Sequence, residues 1–79
     1  MGRLHIRLGR VVRRRRRAAG YSQESFAARC GMHRTYVGKI ERGEQNASLS
    51  NLETIARGLG LRLWQLVRDA EEGTDDARW

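Results

Sequence analysis

The sequence has no proline, one cysteine and few aromatics: two Trp, two Tyr and one Phe. Without proline, and with so few aromatic side chains, the composition suits a compact helical domain better than a β-sandwich or a disordered chain. A lone Cys30 rules out an internal disulfide, and with only His5 and His33 beside it no metal site is expected. No apolar run approaches the roughly 18 residues that cross a bilayer, so no membrane partner is expected. The opening Met1-Gly2-Arg3-Leu4-His5 lacks the apolar stretch of a secretory signal, which points to a cytoplasmic protein. No Ser/His/Asp, Cys/His or paired-carboxylate constellation is present, and 79 residues leave no deep pocket. An enzyme, a cofactor and a small-molecule ligand are therefore not expected. A single domain of this size buries only about 60% of the surface of its unfolded chain, so a partner subunit would help it.

Acidic residues are scarce in one half. Residues 1–42 carry twelve basic and two acidic side chains, whereas 43–79 carry four basic and seven acidic ones. One surface is thus suited to a polyanion and the other to solvent. Fifteen of the sixteen cations are arginine, whose planar fork matches phosphate and guanine, although a GC-rich genome would enrich arginine too.

Apolar spacing and caps predict five helices. Leu4, Leu8, Val11, Val12 and Ala19 mark one side of a first helix, from about Leu4 or Ile6 to Ala19, which Gly20 ends and which contains the run Arg13 to Arg17. Ser22 caps a second helix, Gln23 to about Cys30, which Gly31 breaks. A third runs from about His33 to Arg42 and ends at Gly43. Ser48 or Ser50 caps a fourth, Ser50-Asn51-Leu52-Glu53 having the form of a capping box, with Leu52, Ile55, Ala56 and Leu59 as its apolar stripe. The fifth fits Leu63 to Ala70. Residues 1–70 form the domain, and 71–79 read as a frayed acidic tail.

The second and third helices carry the functional signal. Ala27 provides a small residue where two steeply crossed helices meet, and Gly31 a turn that tolerates positive φ. Val37 and Ile40 anchor the inner side of the third helix, leaving Arg34, Thr35, Gly38 and Lys39 outside. A helix anchored inside with donors outside is what reading the major groove requires, and the expected partner is double-stranded DNA. An ordinary helical hairpin is the plain alternative.

Leu8-Gly9, Gly20-Tyr21-Ser22-Gln23-Glu24-Ser25-Phe26-Ala27, Ile40-Glu41-Arg42-Gly43 and Leu49-Ser50-Asn51-Leu52 resemble the repressor/Cro family of helix-turn-helix regulators. His33-Arg34-Thr35-Tyr36-Val37 through Glu41-Arg42-Gly43-Glu44-Gln45-Asn46 is similar to the controller proteins of restriction–modification systems, which are single-domain dimers of about this length. The resemblance covers residues 8–67 and implies an all-α, five-helix DNA-binding domain that regulates transcription.

It also implies roles. Arg34 would span guanine O6 and N7, Thr35 would meet a thymine methyl or a polar base edge, and Lys39 a base or a phosphate. Gly38 costs about 1 kcal/mol inside a helix relative to Ala, for which close approach to DNA and close helix packing are equal explanations. Tyr36 resembles a controller-protein contact through its hydroxyl, or its ring simply covers the second helix. Arg42, Asn46 and Ser48 look like the family's backbone clamp, and Arg16 with Glu41 like a pair that fixes the reading helix. Ser22 and Gln23 stand at a helix N-terminus, where free N–H groups favour phosphate. His33, in the N-cap position, either caps weakly or touches phosphate.

Three residues depart from the family pattern. Arg15 replaces a core leucine, and its head is expected to escape to water or phosphate. Arg62 lacks the usual helix-start chemistry, and Trp64 replaces an exposed polar residue. Leu63, Leu66 and Val67 fit a core stripe, which leaves Trp64 about 100° around the helix. A homodimer face is accordingly expected at Leu61, Trp64 and Val67. A second function class is an antitoxin or interaction module, in which the acidic tail and Trp79 hold a partner protein.

Overall fold

In the computed structural model, which describes residues 3–72, side-chain caps at Ser22, His33 and Ser48 start the second, third and fourth helices. Five helices lie among the described residues: α1 (Leu4–Ala18), α2 (Gln23–Cys30), α3 (Arg34–Glu41), α4 (Leu49–Gly58) and α5 (Leu63–Glu72). Ser22 caps α2 by accepting from the Ser25 N–H, and Ser25 Oγ accepts in return from the Ser22 N–H. A serine thus plays the part usually given to Glu or Gln in a capping box. Gly31 closes α2 in the left-handed region at φ 68°. Its N–H reaches the Ala28 carbonyl while the Met32 N–H reaches that of Ala27, so two end carbonyls are satisfied as the chain reverses into α3.

The alternative of Ser48 or Ser50 resolves to Ser48, which accepts from the Asn51 N–H at 3.1 Å. Ser50 already lies inside α4, so the expected Ser50–Glu53 box does not form. Helix α5 continues two residues past the expected domain boundary, through Glu71 and Glu72. The rest of the acidic tail, including Trp79, lies outside the described residues. So do Met1 and Gly2.

The core gathers Leu8, Val11 and Val12 from α1, Phe26 and Ala27 from α2, and Val37 and Ile40 from α3. Leu52, Ile55 and Ala56 from α4 and Leu66 and Ala70 from α5 complete it. Two members of the expected α1 stripe are outside it: Leu4 is 41% exposed, and Ala19 is exposed at the C-cap. Cys30 packs beside Gly58, and burial pushes its thiol pKa up against the weaker pull of Arg29, as suits an inert packing residue.

The expectation for Arg15 is overturned. Its guanidinium is not left to water alone: the side chain, 37% exposed, pairs with Asp69 of α5, whose own side chain is only 6% exposed. Asp69 sits on the buried stripe of α5 with Leu66 and Ala70. A carboxylate there needs a cation, and Arg15 supplies it from the neighbouring helix.

Helix α1 also crosses α3 closely. A methyl group placed on Gly9 would lie against the Ile40 carbonyl oxygen and 2.8 Å from that of Glu41. Both obstructions are backbone and cannot rotate away. Gly9→Ala is therefore expected to destabilise the fold by about 3 kcal/mol, the upper end of ordinary overpacking. Urea titration should show a lower midpoint at unchanged slope.

Candidate nucleic-acid interface

Helix α3 is held by its inner residues and open on its outer ones. Val37 and Ile40 are 0% and 2% exposed, whereas Arg34, Thr35 and Lys39 face solvent. His33 Nδ1 accepts from the Thr35 N–H at 3.2 Å, so a neutral ring carries its proton on Nε2 as a further donor. Gly38, expected on the outer side, is instead buried: a methyl group there would stand 3.1 Å from the end of Arg42 and 3.4 Å from that of Gln23. The tips of flexible side chains, not a neighbouring backbone, crowd this glycine.

One buried ion pair positions the C-terminal end of α3. Arg16 Nε donates to Glu41 Oε2 at 2.6 Å and Arg16 Nη2 to Oε1 at 3.0 Å. Arg16 Nη1 donates to the Tyr21 carbonyl at 2.8 Å, in the turn between α1 and α2. Gln23 Nε2 adds a third bond to the Glu41 carboxylate, at 3.0 Å. Hydrogen bonding to Glu41 raises the Arg16 pKa, and burial only partly opposes it. Three segments thus converge on one carboxylate. The Gln23 side chain, expected to face phosphate, uses one amide N–H here; at the α2 N-terminus the capping box takes the Ser22 and Ser25 N–H groups, and those of Gln23 and Glu24 have no helical carbonyl to bond.

Several other expected contact residues have partners within the chain. Tyr36 is half-buried against the core, and its hydroxyl accepts from Asn51 Nδ2 at 2.8 Å, leaving its own proton to donate. Arg42 donates to Glu44 through Nε at 2.9 Å and Nη2 at 3.2 Å. That contact raises the Arg42 pKa and holds the Glu44 carboxyl below its usual range. Arg34, exposed at the start of α3, has one nitrogen 3.9 Å from Glu24. Asn46 and Ser48 are exposed beyond α3, the Ser48 hydroxyl occupied as the α4 cap.

Sequence reasoning missed Asn51, Glu24 and Glu44, although Glu44 follows Arg42 by only two positions. It also missed Asp69, for which an arginine on the core side of α1 was the available signal.

At the other end of the chain, Trp64 is 56% exposed and the Arg68 guanidinium lies 5.2 Å from its ring centre. Leu61 and Val67 are half-buried, packed against the core. Glu53, Arg57, Leu61, Arg62, Leu63 and Trp64 line an open hollow of about 550 Å³ between α4 and α5. Among the described residues, no helix is long and apolar enough to cross a membrane.

A short capped helix, a glycine turn and a second helix with a buried inner side and a cationic outer one define a helix-turn-helix protein. The helix-turn-helix family HTH_3 matches residues 12–63, and the chain belongs to that family. It is a transcription regulator homologous to the controller proteins of restriction–modification systems. Control protein C.MunI from a Mycoplasma species is 44% identical over 73 residues, spanning 91% of this chain and 99% of that one. Control protein C.BamHI of Bacillus amyloliquefaciens is 42% identical over 60 residues, 75% of this chain and 74% of the relative. The crystal structure of the restriction-modification controller protein C.AhdI from Aeromonas hydrophila matches with a TM-score of 0.76 at 39% identity, over 78% of this chain and 94% of that one.

Removing one half of the buried pair should cost far more than removing both. Glu41→Ala strands the Arg16 charge and is expected to lower the unfolding free energy by about 3–5 kcal/mol. Arg16→Met combined with Glu41→Leu restores apolar packing and should lose less, a difference that a urea-denaturation cycle measures.

Proposed function

We propose that this regulator binds a near-palindromic operator as a homodimer, with α3 of each subunit in the major groove. The observation that carries this reading is the two-sided build of α3, clamped from within by Val37, Ile40 and Glu41 and exposing Arg34, Thr35 and Lys39. Arg34 stands at the N-terminal end of α3, where a recognition helix reads base edges, and its fork matches guanine O6 and N7. Thr35 and Lys39 share that surface, and Tyr36 donates its hydroxyl proton at the edge. Around them, the N-terminus of α2 at Ser22 and Gln23, His33, Arg42, Asn46 and Ser48 contact phosphates, which set register without reading sequence. The names of the similar proteins suggest a finer role: control of restriction–modification genes, exercised in the cytoplasm. Neither a catalytic role nor a cofactor belongs to this reading.

Selection from random duplex DNA, followed by binding isotherms, tests the base-reading assignment. Arg34→Ala is expected to cost about 1–3 kcal/mol on the selected site while changing binding to scrambled DNA little. Equal loss on both would remove Arg34 from base reading.

The dimer is placed at Leu61, Trp64 and Val67 because a large exposed aromatic beside an open hollow is typical of an interface anchor. Two reading helices would then lie about 34 Å apart, on half-sites centred about 10 base pairs apart. Sedimentation at micromolar concentration should show a dimer for the wild type and a monomer for Trp64→Ala. If both run as one species, Trp64 is not the anchor.

A further inference from the structure

The arginine run is divided by the helix that carries it. Arg15 and Arg16 turn inward to Asp69 and Glu41, while Arg13, Arg14 and Arg17 remain exposed. Arg13 and Arg17, one turn apart and so about 6 Å along α1, lie on the same side of the helix. Together with Arg16, Gln23, Glu41 and Arg42 they line a polar depression of about 310 Å³ between α1, the start of α2 and the end of α3. Four guanidinium groups border it. Glu41 is matched by Arg16 and Glu44 by Arg42, whereas neither Arg13 nor Arg17 has an ion pair with an acid among the described residues. Gln23, the first residue of α2, lines it as well, and the backbone N–H groups of Gln23 and Glu24 have no helical carbonyl to bond.

We propose that Arg13 and Arg17, with the N-terminus of α2, form a phosphate track along α1 that grips the DNA backbone beside the half-site read by α3. The proposal rests on the DNA-binding reading of α3 and extends its footprint to a helix that reads no base. A backbone phosphate suits the place for three reasons. The depression is open and polar, it adjoins the end of the reading helix, and its cations are spread along a helix instead of closing around one small anion.

Anisotropy titrations on the selected operator over a range of salt concentrations test it, using wild type, Arg13→Gln/Arg17→Gln, Arg14→Gln and Arg34→Ala. Each phosphate left without its arginine should reduce the slope of log affinity against log salt by about 0.9, so the double variant should lose about 1.8 per protomer. Its affinity should fall on operator and scrambled DNA alike, with an unchanged thermal melt. Arg14→Gln removes an exposed charge outside the depression and should leave the slope nearly unaltered. An unchanged slope in the double variant, or an equal loss per charge in Arg14→Gln, overturns the track while leaving an Arg34-dependent preference for the operator intact. Absence of any sequence preference in the wild type overturns the reading of α3 itself, and the track with it.

Discussion

The geometry of α3 depends on one buried carboxylate. Glu41 sits at the last position of α3 and collects two bonds from Arg16 and one from Gln23. Burying a charge is expensive, and the cost is offset only when hydrogen-bond geometry is good and the partner is fixed. Arg16 meets that condition because its Nη1 is also fixed on the Tyr21 carbonyl. The pair therefore works less as a source of net stability than as a constraint: α1, the start of α2 and the end of α3 have one mutual arrangement that leaves no stranded charge. Close approach of α1 to α3 at Gly9 reinforces the same arrangement from the backbone side.

Around this constraint the arginines of α1 have divided their tasks. Helical rotation of 100° per residue turns adjacent side chains to different neighbours. Arg15 fastens α5 through Asp69, and Arg16 fastens α3 through Glu41. The helix that carries the proposed dimer face and the one that carries the proposed base contacts are thus tied to consecutive residues of one rigid helix. Arg13, Arg14 and Arg17 stay on the surface, where their charge is available to a polyanion.

The proposed DNA surface is not bare in the free protein. Glu44 holds Arg42 and Glu24 lies near Arg34, while Tyr36 meets Asn51. Exposed ion pairs of this kind are weak, so a phosphate or a base edge can displace the acid at small cost.

Helix limits, turns and the helix-turn-helix itself were legible in the sequence, because each rests on local chemistry: Ser22 and Ser48 as caps, Gly31 as a left-handed stop, and apolar residues at 3.6 spacing in α2 to α5. The outward positions of Arg34, Thr35 and Lys39 followed from the same periodicity once Val37 and Ile40 were assigned inward, whereas Gly38, expected among them, lies buried under the ends of Arg42 and Gln23. What only the tertiary structure decided was where long polar side chains end. Arginine carries its charge some distance from its backbone, so its partner depends on which helix packs alongside. The sequence placed Arg15 toward water, whereas packing of α5 against α1 brought Asp69 to it. Gln23, Tyr36 and Arg42 found internal partners for the same reason, and the crowding at Gly9 exists only because α1 and α3 cross there.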